Sequence, residues 1–492
     1  MLSVCFIVRN NEDTIRPCLS SIAPWVDEII VVDTGSTDRT SEIAQEIGAK
    51  VSSFPWCDDF SAARNISLER ASGDWLMWMD SDDTISEENG RRLQELARRP
   101  VDEAPMSYIM QVHCPDSSDG ESVTVVDHVK MFRNHPEIRF EGRIHEQVLP
   151  AIRRLGGEVE WTDIFVEHTG SDQTREGRQL KYERDLKLLS LELKDHPDHP
   201  FALFNLGMTY ADMEDFERAI PPLIRSVEVA GPDESHLRKA YALLIGSLMQ
   251  ANRIGDAQHW CALGRELFPE DVELTFRDGI LQHQLGNFDA SIESYKAVLV
   301  PHESNYFSSM DSGITGYKAR HNLALVYCDA GDLRAAENEW RQVVNESPTF
   351  EAGWSGLVDC LSRQGNYAEA KKVVEQLAET ANSEHEAELM IAQIAESEGD
   401  MTRARNALLN ACERLPSNVA VLQALCKFLF ERGPVDAALA AQSKLNQLVP
   451  NDGAVLHNLA TLYFQIGCVS SATRLYKESI KMRPDSMPTY LQ

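Results

Sequence analysis

The chain has 492 residues, enough for about two or three domains with buried cores. Apolar residues make up 43% and charged residues 25%, the balance of a globular protein rather than a fibrous or disordered one. The formal net charge of −30 excludes a broad nucleic-acid-binding surface and disfavours adhesion to anionic membrane, so an anionic substrate would need a metal cation or a local Arg/Lys cluster.

In chain order, "LSVCFIV" is a near-continuous apolar run, as expected of a strand buried on both faces. "EDTIRPCLSSI" has helical spacing, "EIIVVD" reads as the second strand, and "STDRTSEIAQEIG" as a helix opened by Ser36-Thr37-Asp38 and closed by Gly48. "KVSSFP" is a third strand, "DFSAARNISLERAS" a helix, and "DWLMWMD" the next strand. This alternation predicts a parallel sheet with helices on both faces. From about 106 to 168 the runs "SYIMQVHC", "ESVTVVDHVKMF" and "EVEWTDIFVEH" are strand-like and predict a mixed-sheet extension of the same domain. Residues 172–197 read as a charged linking helix with Leu186, Leu189 and Leu193 as its apolar positions.

The second half repeats. Gly331, Gly365, Gly399, Gly433 and Gly467 stand 34 residues apart, each followed five residues later by Ala336, Ala370, Ala404, Ala438 or Ala472. Pro348, Pro416, Pro450 and Pro484 follow at the exit position, with Asn382 at the remaining one. Looser units carry Gly255 and Gly286 in the turn, and "GMTYADMEDFERAI" starts the array. A 34-residue helix-turn-helix unit with small residues at the crossing is the tetratricopeptide pattern, which predicts a stacked all-α superhelix of about eight repeats over 198–492. "HESNYFSSMDSGITG" fits an inserted loop between two repeats.

The ten cysteines include no CxxC pair, so neither a structural zinc site nor a thioredoxin-type site is expected, and reduced, buried thiols are. A strand that begins at residue 2 leaves no leader, and no run of about 18 apolar residues suggests a membrane span, so the expected location is the cytoplasm.

The segment "WLMWMDSDDTIS" ends a buried strand in Asp80-Ser81-Asp82-Asp83, and "EIIVVD" ends in Asp33. Ligands of open α/β sheets bind beyond the carboxyl ends of strands. Crowded carboxylates there raise each other's pKa unless a cation intervenes, and oxygen ligands suit Mg²⁺ or Mn²⁺. A solvated turn with helix-capping carboxylates, Asp83 among them, is the plainer alternative from the local motif.

The wider context favours the site. Asn11-Glu12 after the first strand, "VVDTGSTD" after the second, "AARN" in the third helix and the D-x-D resemble the N-terminal domain of family 2 glycosyltransferases, over roughly residues 2 to 85. The commoner form of the second element is Asp-Asp-Gly-Ser; Thr34 replaces its second Asp. "KMFRNHPEIRFEGRIHEQV" and "FVEHTGSD", followed by repeats, look like a narrower group that includes the peptide S-glycosyltransferases of sublancin-type bacteriocins. The resemblance implies a GT-A fold over residues 1–171, a linking helix over 172–197 and repeats over 198–492.

It also implies roles. Glu12, Asp33, Arg64, Asp80 and the weaker candidate Arg9 would contact the nucleotide, often uridine. Asp82 would be the main metal ligand, with Asp80 and His168 completing the shell. Inverting transfer needs a general base opposite the leaving group, for which Glu146 is the first choice, with His145 and Glu141 behind it. Arg133 and Arg143 are diphosphate candidates. The implied activity is metal-dependent transfer of a sugar, a hexose, from a nucleotide sugar, UDP-linked, to a peptide, protein or envelope-glycan acceptor. The repeats would bind the acceptor or a partner protein. The alternative is a catalytically inert transferase-like domain on a repeat scaffold. Such a scaffold would be free to lose Glu12, Asp33, Arg64 or Asp82, and all four are present. No Walker A or GxGxxG stretch supports an ATPase or dinucleotide enzyme.

Overall fold

The structure, a computed structural model, describes residues 1–99, 104–115, 123–168, 174–300, 310–380 and 384–482. It divides into two compact units, Met1–Ala319 and Arg320–Gln492.

The first unit opens with β1 (Leu2–Val8). Leu2, Val4, Phe6 and Val8 point into one core and Cys5 into the core on the opposite face, the two-sided burial that the apolar run predicts. Then come α1 (Ile15–Ile22), β2 (Glu28–Asp33), α2 (Thr40–Glu46), β3 (Lys50–Ser53), α3 (Phe60–Arg70) and β4 (Trp75–Trp78). The short β5 (Asp83–Thr84), α4 (Glu87–Ala97), β6 (Ser107–Pro115), β7 (Val123–Arg133), α5 (Leu149–Arg154), β8 (Val159–His168) and α6 (Arg175–Asp195) complete this part. Strand order is β3-β2-β1-β4-β7-β6-β8-β5, with β3, β2, β1 and β4 parallel and the β4–β7, β7–β6 and β8–β5 pairings antiparallel. The mixed extension is therefore present.

Two helix starts differ from expectation for identifiable reasons. Ser36, Thr37 and Asp38 do not open α2. They cross-link to the loop after β1: Asn10 N–H donates to Ser36 Oγ (3.0 Å), Thr37 N–H to Asn10 Oδ1 (2.8 Å) and Glu12 N–H to Asp38 Oδ2 (3.1 Å), so the helix begins at Thr40. Asp83 does not cap α4; Ser86 does, accepting from Asn89 N–H at 3.2 Å.

Eight helix pairs follow among the described residues. They are α7 (Pro200–Asp212) with α8 (Phe216–Val229), α9 (Leu237–Gln250) with α10 (Ile254–Leu267), α11 (Val272–Gln284) with α12 (Phe288–Val298), and α13 (Tyr317–Ala330) with α14 (Leu333–Glu346). The last four are α15 (Glu351–Arg363) with α16 (Tyr367–Thr380), α17 (Glu384–Glu398) with α18 (Met401–Arg414), α19 (Val419–Arg432) with α20 (Val435–Leu448), and α21 (Gly453–Gln465) with α22 (Val469–Met482). Ala336, Ala370, Ala404, Ala438 and Ala472 are each at most 1% exposed, as the crossing positions require. Gly331, Gly365, Gly399 and Gly467 take positive φ in their turns, whereas Gly433 is extended because Pro434 follows it. Gly255 lies in the first turn of α10 rather than in the loop; Asn252, at φ 57°, takes the left-handed position there. Pro484 and Asn382 lie outside the described residues, as does 302–309 of the predicted insertion. The end of that insertion forms β9 (Met310–Asp311), which pairs antiparallel with Thr124 and Val125 of β7.

Helix α6 packs on both of its neighbours within the first unit. Leu188 and Leu189 share a core with Ile144 and Ala202, joined by Trp56, Phe60, Leu193 and Leu206. All cysteines among the described residues are free thiols; Cys57 and Cys468 are exposed rather than buried. No helix among the described residues is long and apolar enough to cross a membrane.

Candidate functional site

The carboxyl ends of β1, β2 and β4 face a cavity of about 1010 Å³. Its wall carries Arg9 and Asn11 after β1, Thr34 after β2, Arg64 of α3, Asp80 and Asp82 after β4, His145 and Glu146, and His168 at the end of β8. Residues far apart in sequence therefore meet in one place. Pairing of β5 with β8 sets Asp83 directly opposite His168, which brings the imidazole to the acidic loop.

At the base of this loop the Asp83 side chain is fully buried. Its carboxylate accepts from Lys130 Nζ (3.0 Å) and the Asp80 N–H (3.1 Å), and lies 2.9 Å from His168 Nδ1. Burial opposes its charge, but Lys130 and the His168 bond outweigh that and hold Asp83 far below the ordinary carboxylate range. Lys130 is itself 1% exposed and lies 3.8 Å from the Trp78 ring centroid. His168 is raised above the ordinary histidine value, chiefly by its bond to Asp83. Asp82 is pushed up by burial and by its neighbours Asp80 and Asp83, with His168 Nδ1 at 3.6 Å opposing the shift.

Asp80, Asp83 and His168 each place one ligand atom within 4.8 Å of the others. Two carboxylates and an imidazole, with a third carboxylate adjacent, suit a hard divalent ion. Asp83 joins this cluster although only Asp80, Asp82 and His168 were expected in it.

Arg64 is buried against Trp78, its guanidinium 4.3 Å from the ring centroid. It donates to Asp80 Oδ1 (2.7 Å) and to Glu146 Oε1, so the arginine expected at the nucleotide and the expected base form an ion pair. Burial opposes the Arg64 charge, and the Glu146 and Asp80 carboxylates more than offset it. His145 has φ +53°, a strained left-handed backbone, and its Nε2 is buried with no hydrogen-bond partner among the described residues. Burial lowers its pKa below the ordinary histidine value.

Other expected residues lie elsewhere. Asp33 folds back on its own loop, accepting from Gly35 N–H (2.9 Å), Ser36 N–H (2.7 Å) and the Ser41 hydroxyl. Burial works against its charge, and these donors keep it below the usual range. Glu12 accepts from Arg39 N–H at 3.0 Å. Their neighbours Thr34 and Asn11 reach the cavity wall instead. Arg133 donates to Pro105 O (3.1 Å) and to Ala104 O, because β7 directs it to the end of the sheet away from the cleft. Arg143 pairs with Asp195 (2.7 Å) on α6, and Glu141 pairs with Arg154. Neither arginine is placed as a diphosphate contact, and Glu141 is not placed as a base.

Residues 3–115 match the family model described as glycosyl transferase family 2, and residues 319–394 match tetratricopeptide repeat. The N-terminal domain is a family 2 glycosyltransferase domain. A TPR repeat-containing protein of Synechococcus elongatus is 29% identical over 357 residues, 70% of this chain and 76% of its own. The SPbeta prophage-derived glycosyltransferase SunS of Bacillus subtilis is 28% identical over 289 residues, 57% of this chain and 67% of its own. An uncharacterized glycosyltransferase of Rickettsia felis is 34% identical over 87 residues, 18% of this chain and 30% of its own. The chain is a glycosyltransferase that carries tetratricopeptide repeats.

Sequence reasoning missed Lys130 and the contribution of α6, whose Lys181, Arg184, Asp185 and Leu188 complete the cavity wall. A lysine within the apolar alternation of "VDHVKMF" is the one signal that marked the first. Nothing local marks the second.

Proposed function

We propose that the protein transfers a hexose from a nucleoside diphosphate sugar, with UDP as carrier, to an acceptor hydroxyl or thiol by one inverting displacement that depends on Mn²⁺ or Mg²⁺. The observation that carries this reading is the convergence of Asp80, Asp82 and His168 on one wall of a cleft that also holds Arg64, Glu146 and His145. Asp80, Asp82 and His168 would hold the ion, with Asp83 behind them. A divalent ion there supplies Lewis-acid stabilisation of charge on the departing diphosphate.

The residues of the chain do the rest. Arg9 and Arg64 lend positive charge to a cleft in a strongly acidic protein. Glu12 and Asp33 shape the two loops that would enclose the nucleotide, through the contacts described above. As the bond from the acceptor oxygen or sulfur to the anomeric carbon forms, the bond to the diphosphate breaks, and its electron pair leaves with the phosphate. The acceptor proton passes to Glu146 or to the free Nε2 of His145. Residues 1–171 serve as the transferase, 172–197 as the linking helix and 198–492 as the repeat region that presents the acceptor or a partner protein.

The test is a screen of nucleotide sugars for Mn²⁺-dependent release of the nucleoside diphosphate, with calorimetry of UDP and Mn²⁺ in parallel. Metal-dependent UDP binding that is lost in Asp82→Asn is the expected result. Unchanged UDP and Mn²⁺ affinity in that variant would refute the role of Asp82.

A further inference from the structure

A second cavity, of about 330 Å³, borders the first. His145 and Glu146 line both. One side of the second cavity is transferase: Trp78, Val129, Phe140 and Leu149. The other side is the first repeats: Phe201, Phe204 and Met208 of α7, with His236 and Lys239 of the next repeat. The repeats therefore build part of the wall directly beside the two base candidates. Resting on the functional reading above, we propose that this cavity is the acceptor subsite and holds a bulky apolar side chain adjacent to the acceptor hydroxyl or thiol of a peptide.

Three observations carry the assignment. The first is placement. An inverting displacement needs the acceptor on the face of the anomeric carbon opposite the leaving group, with a base beside the acceptor atom. His145 and Glu146 line both the proposed donor cavity and this one, so a base candidate is within reach of an acceptor held here. The unpartnered, buried Nε2 of His145 is a polar atom still in want of a partner at that border. The second is size. The volume is about twice that of a ~150 Å³ apolar cavity able to take a benzene ring.

The third is chemistry. Phe201, Phe204, Met208, Val129 and Leu149 present rings, a thioether and methyl groups, which suit an apolar side chain. Asp127, His128, Gln147, Ser235 and His236 add polar groups, but most of the lining surface is apolar, which favours a side chain over a sugar. Asp127 contributes a buried Oδ1 without a partner among the described residues, a ready acceptor for one peptide N–H. Lys239 is already paired with Glu273 at 2.9 Å.

Binding can be read on the full chain without donor, by ligand-observed NMR titration. The probes are N-acetyl-Phe-Ser-amide, N-acetyl-Gly-Ser-amide and methyl β-glucoside. The Phe-Ser probe should bind saturably and at least about tenfold more tightly than the Gly-Ser probe, as burial of an aromatic side chain implies. Met208→Trp, which fills the cavity from α7, should abolish that preference, and Met208→Leu should keep it. Phe201→Trp is a second filler should the first prove insoluble. Equal binding of the two peptides, tighter binding of the glucoside, or a preference that survives a soluble filler would overturn the assignment. Metal-dependent donor hydrolysis by the wild-type protein is measured in parallel. Its absence from the wild-type protein would instead count against the donor reading and leave the peptide result standing.

Discussion

Lys130→Met isolates the contribution of the buried Lys130–Asp83 pair. The pair is 3.0 Å apart with side chains 1% and 0% exposed, so removal of the ammonium strands a carboxylate away from water. Breaking one side of such a pair costs about 3–5 kcal/mol. The Asp80 N–H and His168 still bond to Asp83, which favours the lower end of that range. The pH dependence should change sign. In the wild type the Asp83 pKa lies below its unfolded value, so its stabilisation is full above about pH 4 and is lost as the pH falls further. Without Lys130, burial lifts Asp83 above its unfolded value, and stability should fall as the pH rises from about 4. Native-state hydrogen exchange of the β4 and β7 amides reads this domain separately from the repeats. The double variant Asp83→Asn with Lys130→Met should recover more than half of the loss. A single variant within about 0.5 kcal/mol of wild type, with an unaltered pH profile, would refute the reasoning.

Glu146→Gln should lower turnover by about 10²-fold or more if this carboxylate takes the acceptor proton, with UDP affinity changed much less; normal single-turnover rates would shift the role to His145. Because His168 titrates above its ordinary value, apparent Mn²⁺ affinity should rise with pH up to that pKa and level off beyond it, as calorimetry at several pH values can check. A fragment ending at residue 319 should fold and bind UDP with Mn²⁺. One ending at 196 strips Ala202 and Leu206 from Leu188 and Leu189 and should aggregate or unfold at lower temperature, by light scattering and calorimetry.

The parts of the molecule legible in sequence are those set by local period. The two-sided burial of β1 and the 34-residue alanine register both follow from side-chain spacing, and both occur in the structure. The acidic loop was legible because three carboxylates at a strand end conflict with burial. What escaped depends on contacts distant in sequence. Arg133 and Arg143 lie in basic, strand-and-turn segments that look suited to a diphosphate, yet β7 and α6 direct them to other partners. Lys130 is recognisable as a counterion only once β7 is placed beside β4. The second cavity needs α7 to pack on the transferase, which no periodicity predicts.

The pairing of Met310 and Asp311 with Thr124 and Val125 bears on how the chain matures. During synthesis, β7 emerges long before the two residues that dock on its open stretch, and roughly two hundred residues separate the partners. Until then the edge of that stretch not paired with β6 stays open, a template for wrong strands. The transferase sheet is therefore completed only after three helix pairs have been made. Termination before residue 310 would release a molecule with an unfinished sheet, whereas termination later in the repeats would leave the sheet complete.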